Sequence, residues 1–278
     1  MKLWAISDLH LSSAENRDAL RDFPHHSGDW LILAGDLGER PEHLDLAFTL
    51  LGARFARLIW VPGNHELWTI PSPDGGLRGQ AKYEAMLAVC RRHGVCTPED
   101  PYPVWTGPGG PCLIAPLFLL YDYSFAPTGL DPAGAVAWAA EARIRSGDEI
   151  LLSPYPRPSR VAWCHQRVAW TEKRLTTERP PGLPTILVNH FPLRQDVIDL
   201  PRIPRFSPWC GTRLTEGWHR RFDAVACVHG HLHRPATHWR DGVRFEEVSA
   251  GYPRQWQPRG RHPATALRRI LPHDGAGR

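Results

Sequence analysis

The chain has 278 residues, enough to bury an extensive core, and its formal net charge of +4 is too mild to mark a nucleic-acid partner. No run approaches the ~18 consecutive apolar residues of a membrane span, and residues 1–8 lack the layout of a secretory signal. The six cysteines are scattered without a Cys-x-x-Cys pair and read as small apolar residues, so a soluble, cytoplasmic protein is expected.

In chain order, Leu3 to Ile6 is a short apolar run that ends at once in Ser7, Asp8, Leu9 and His10. A buried strand followed by polar residues places Asp8 and His10 at its carboxyl end, where α/β proteins hold their ligands. The pattern repeats with Trp30–Ala34 before Gly35 and Asp36, and with Leu58–Val61 before Gly63, Asn64, His65 and Glu66. Between them Pro41 opens a helix whose Leu44, Ala47, Phe48 and Leu51 recur at helical spacing. Strand, loop and helix units in this order predict a sheet with crossovers and loops gathered on one edge.

A helix is predicted from Leu77 to His93, with Gly94 as its cap. Turn signals then bound strands at 103–105 and 112–120, an antiparallel element of a second sheet. Asp131 and Pro132 start a helix expected to run to Gly147. Ser159 caps another to about Thr177, with Val161, Cys164, Val168 and Leu175 inward. Its other face carries Trp163, Arg167, Trp170 and Arg174, which fits an exposed face, a lid, a dimer contact or plain packing. Thr185–Val188 leads into Asn189 and His190, Phe222–Val228 leads into His229, Gly230, His231 and His233, and Val243–Ser249 reads as a closing strand. Residues 1–257 are expected to form one domain, and 258–278 a Pro/Arg-rich tail that frays.

Each polar loop follows an apolar strand, a context that scattered histidines would lack. Carboxylate, imidazole and one amide oxygen form a donor set suited to Mn, Fe, Ni or Zn. Seven ligands are too many for one ion and suit two that share a carboxylate, an arrangement used in phosphoester hydrolysis.

The ordered blocks Asp8-x-His10, Gly35-Asp36, Gly63-Asn64-His65-Glu66, His190 and Gly230-His231-x-His233 resemble the signature of the calcineurin-like metallophosphoesterases. The resemblance implies two packed mixed β-sheets flanked by α-helices. It implies one divalent cation on Asp8, His10 and His233, a second on Asn64, His190 and His231, and Asp36 bridging them. His65 would bind no metal, sit beside the phosphate and stabilise charge or protonate the leaving oxygen. A hydroxide bridging the cations would attack phosphorus in line.

Residues 35–40 depart from the Gly-Asp-Tyr-Val-Asp-Arg-Gly stretch of the family's Ser/Thr protein phosphatases, which argues against that branch. Glu66 is open between orienting His65, ligation and simple exposure, and Arg194 is the candidate for an extra phosphate contact. The expected activity is hydrolysis of a mono- or diester of a small phosphorylated metabolite or nucleotide. A nuclease and a non-catalytic scaffold are the alternatives.

Overall fold

The computed structural model describes residues 1–71 and 75–273. Its first half runs β1 (Leu3–Ile6), α1 (Ala14–Ala19), β2 (His26–Leu33), α2 (Pro41–Gly52), β3 (Phe55–Trp60) and α3 (Gly79–Arg92). There follow β4 (Val104–Trp105), β5 (Cys112–Pro116), α4 (Pro132–Glu141), α5 (Asp148–Leu151), α6 (Arg160–Glu178) and β6 (Thr185–Val188). The chain continues through α7 (Trp218–Arg221), β7 (Ala224–His229), β8 (Ala236–Arg240), β9 (Val243–Glu247), α8 (Pro253–Trp256) and β10 (Arg268–Leu271).

The strands form two mixed sheets, in the orders β10-β1-β2-β3 and β4-β5-β6-β7-β9-β8. Because side chains alternate across a strand, apolar residues on both parities mean burial on both faces. Leu3, Ala5, Ile32, Ile59, Ile114, Ile186 and Val228 belong to one core shared by the two sheets. Their neighbours Ile6, Leu31, Leu33, Leu58, Trp60 and Leu187 join the helical residues Leu44, Phe48, Met86 and Leu175 in a second. The expected pair of packed sheets flanked by helices is the observed fold. No helix among the described residues is long and apolar enough to cross a membrane.

Strands β1, β2 and β3 run parallel, as do β5, β6, β7 and β9. Their carboxyl ends therefore share one edge. There an isolated parallel bridge joins Ser7 to Ser249, across the two sheets.

Several expectations change. The helix begun at Asp131 stops at Glu141: Arg143 is left-handed at φ 59°, and the Ile144 amide bonds back to Ala139 O at 3.1 Å. The strand from Cys112 ends at Pro116, where its partner β6 also ends, and the Leu119 amide then bonds to Asn189 Oδ1 at 3.0 Å. The aromatic and basic stripe of α6 is packing, not a lid. Trp163 is fully buried, and the Arg167 guanidinium stacks 4.2 Å from the Trp170 ring. Arg174 lies 4.3 Å from the Tyr102 ring and donates to Asp100 O.

The segment after Pro258 does not fray over its described part. Two short turns lead to β10, which pairs antiparallel with β1 and aligns Leu271 with Leu3. Its polar flanks disguised it, but Ile270 is fully buried and Leu271 nearly so. Residues 274–278 of that expected tail lie outside the described residues. Replacing Ile270 with Ala should cost about 2–4 kcal/mol in urea unfolding. A frayed segment would leave the midpoint unmoved.

Candidate active site

The loops after β1, β2 and β7 leave their strands through sharp turns. Asp8, His10, Asp36, His231 and His233 adopt positive φ, between 41° and 73°. This left-handed backbone costs side-chain-bearing residues about 1–2 kcal/mol each. It bends the chain two to four residues past the strand ends, so neighbouring side chains converge. Two motif glycines permit the approach. A Cβ on Gly63 would lie 2.1 Å from Asp36 Oδ1, and one on Gly230 would lie 2.2 Å from Ser7 Oγ.

The seven expected ligands meet at this edge. Ligating atoms of Asp8, His10 and His233 lie within 4.8 Å of one another, as do those of Asp8, Asp36 and His190. The His233 Nε2 to Asp8 Oδ1 distance is 3.0 Å, and His190 Nε2 to Asp36 Oδ2 is 3.4 Å.

Surrounding residues fix which atoms face inward. His190 directs Nδ1 to Ala34 O at 2.9 Å, and His233 directs Nδ1 to Gln255 Oε1 at 2.8 Å, so each presents Nε2 to the cluster. Asn64 donates Nδ2 to Asp148 Oδ1 at 3.0 Å, which leaves its Oδ1 for the interior. Asp8 Oδ2 accepts from Ser249 Oγ at 2.7 Å and from the His231 amide at 3.1 Å.

A cation pair fits what remains. Asp8 Oδ1, Asn64 Oδ1, His190 Nε2 and His231 Nε2 are buried without a hydrogen-bond partner. Buried polar atoms are nearly always paired, and four orphans on one cluster of oxygen and imidazole donors are what cation ligands look like.

Electrostatics agrees. Burial lowers the His231 imidazole to about 3 and holds His10 well below its usual range, so both keep a free lone pair. At His190 burial opposes charge, yet the Asp36 and Asp8 carboxylates outweigh it and raise the group to about 10. Without cations, protons on imidazoles compensate the two carboxylates.

His65 lies against the cluster, a ring nitrogen within 4.8 Å of donor atoms of His10 and Asp36. Burial would lower its pKa, but the carboxylates of Asp36 and Glu39 lift it to about 9. Its Nδ1 meets Glu39 Oε1 at 2.8 Å, its ring stacks on Trp68 at 3.6 Å, and Tyr252 Oη lies 3.4 Å from Nε2. Nε2 therefore faces a cavity of about 430 Å³ that Asp36, Asn64, His231, His233, Arg145 and Arg254 also line.

Glu66 proves to be neither ligand nor exposed. Its carboxylate accepts the amides of Asp36, Leu37 and Gly63 at 2.9, 2.6 and 2.7 Å. Arg194 is not brought to the cluster. It pairs with Asp196 at 2.8 Å and Asp241 at 3.5 Å on the far side of the loop after β6.

Sequence reasoning missed Glu39, Asp148, Tyr252 and Gln255. Tyr252, stacked on His10 at 4.0 Å, follows β9 by the same strand-then-loop pattern and was open to discovery. Asp148 reaches Asn64 only through the break between α4 and α5, for which the sequence carried no signal.

Glu66→Ala would strand three buried amides and should destabilise the metal-free protein by about 3 kcal/mol or more in urea unfolding. A change below about 1 kcal/mol would mean that water replaces the carboxylate.

Comparison with known proteins bears on the fold and the family. A family model described as calcineurin-like phosphoesterase matches residues 1–235. The chain is 52% identical over 273 residues to the acyl-carrier-protein phosphodiesterase PptH of Mycobacterium tuberculosis (strain ATCC 25618 / H37Rv), covering 97% of this chain and 83% of that one. The crystal structure of the phosphopantetheinyl hydrolase PptH from Mycobacterium tuberculosis superposes with a TM-score of 0.93 at 50% identity, covering 100% of this chain and 98% of that one. The expected phosphoester hydrolase, rather than the alternative of a non-catalytic scaffold, is the reading these matches support. The chain belongs to the calcineurin-like phosphoesterase family.

Proposed function

We propose that the protein hydrolyses the phosphodiester linking a phosphopantetheinyl arm to an acyl-carrier protein. Support comes from the four orphaned buried donor atoms, which suit divalent cations, and from the activity of the 52%-identical relative. A carrier-protein diester thereby takes the place of the small phosphorylated metabolite expected from sequence. Six unpaired cysteines suit a reducing compartment, consistent with action in the cytoplasm.

Asp8, His10 and His233 would hold one cation, Asn64, His190 and His231 the other, with Asp36 shared. The oxygen and imidazole donors suit Mn, Fe, Ni or Zn. Two such cations, when bound, supply charge neutralisation and an activated water. The chain's own residues arrange the rest. Arg145 and Arg254 line the cavity and offer donors to the phosphate oxygens. Glu39 holds His65 Nδ1, so the proton on Nε2 points at the leaving oxygen. The Trp68 ring against His65 restricts its rotation. As the bond from water oxygen to phosphorus forms, the bond to the carrier oxygen breaks and His65 gives that oxygen its proton. The products are 4′-phosphopantetheine and the unmodified carrier.

His65→Ala should lower kcat on phosphopantetheinyl carrier protein about 10²–10⁴-fold while metal content by elemental analysis stays the same. Wild-type-like turnover in that variant removes the acid. A second outcome follows from the protonated imidazoles. Since His190 rises to about 10 in the metal-free chain, loading cations at pH 7 should release its proton, and affinity should climb as pH rises toward 10. Calorimetric titration in two buffers of different ionisation enthalpy measures the release, and none at all would contradict the assignment of His190.

A further inference from the structure

A second cavity, of about 300 Å³, opens beside the one that holds the cluster. The two share a wall of Leu200, Ile203, Leu232, His233, Arg254 and Gln255. His233 borders both, whereas Asp36, Asn64 and His65 border the first. The side cavity therefore leaves the cluster on a flank that His65 does not line. Leu200, Ile203 and Leu232 are the apolar part of the shared wall, and Arg202, Arg234 and Arg259 border the side cavity alone.

A phosphodiester carries two substituents. The one whose oxygen leaves must sit toward His65 and the attacking oxygen comes from the opposite side, so the other substituent projects sideways from that line. In a phosphopantetheinyl diester that second substituent begins with a methylene, followed at once by a carbon bearing two methyl groups. A hydroxyl and two uncharged amides follow. Branched hydrocarbon beside the phosphate fits the Leu200 and Ile203 flank, and amide carbonyls fit arginine donors beyond it. Ile203 is 42% exposed, apolar surface that such a group would cover. The volume lies at the lower end of the ~300–1,000 Å³ range typical of ligand pockets.

We propose that this side cavity is the channel for the pantetheine arm, with Ile203 and Leu200 selecting its dimethyl centre and Arg254 at the junction steering the diester into the cluster. The inference rests on the reading that a phosphopantetheinyl carrier is the substrate.

The test compares phosphopantetheinyl carrier protein with bis(p-nitrophenyl) phosphate, which has no arm, on the metal-loaded enzyme. Ile203→Trp fills the channel, and Ile203→Ser removes the apolar contact without adding bulk. In each, the ratio of kcat/KM for carrier to that for the small diester should fall at least about tenfold. Inhibition of small-diester hydrolysis by free 4′-phosphopantetheine should weaken in parallel. Unchanged ratios in both variants, with wild-type turnover of the carrier intact, overturn the channel and leave the substrate standing. A wild-type enzyme that cleaves the small diester but not the carrier overturns the substrate, and the channel with it.

Discussion

The Glu66 carboxylate, closed inside the protein, fixes the backbone on which the site depends. By taking the amides of Asp36, Leu37 and Gly63 it ties the loop after β2 to the loop after β3. Asp36 completes the stitch, since its Oδ1 accepts the His65 amide at 2.9 Å. Burial and the neighbouring Asp36 charge push the Glu66 carboxyl up to about 7, which its amide partners oppose. The main chain of both loops is thus satisfied internally. Among their side-chain atoms, Asn64 Oδ1 has no partner in the protein and is left for what enters the cluster.

The same division of labour recurs around the edge. Ser249 and the His231 amide hold one oxygen of Asp8, and Gln255, Asp148 and Ala34 O hold the outward atoms of His233, Asn64 and His190. Conformational strain is concentrated on the cluster residues themselves. Five of the nine left-handed non-glycine residues among those described belong to the cluster. Local strain of this kind persists only where the surroundings over-determine it. Here the two parallel sets of strands and the Ser7–Ser249 bridge do so.

Much of this was legible in the chain. Apolar runs ending in Asp, His or Asn placed every cluster ligand at a strand's carboxyl end, because a strand buried on both faces must be apolar throughout and can turn polar only where it stops. The motif order then joined segments that periodicity could not. Other parts were hidden for identifiable reasons. Strand β10 is only four residues long and begins with two arginines, so its two apolar residues carry no period. Arg143 halts α4 through backbone conformation inside an alanine-rich stretch that favours continuing. Glu39 and Glu66 lie within recognised loops, yet whether a carboxylate there meets an imidazole or an amide is decided by side-chain direction. Arginine abundance made Arg194 a poor guide, and its actual partner stands two positions along.

Strand β10 has a role distinct from its small share of the core. Without it, β1 would be the outer strand of the smaller sheet, and β1 is the strand that delivers Asp8 and His10. Unpaired outer strands recruit other chains. Cleavage in the turns between Gln257 and Arg268 would uncover this strand, and the resulting species would be prone to pair with its own copies. Strand β10 thus covers the outer edge of β1 and acts as a guard against self-association.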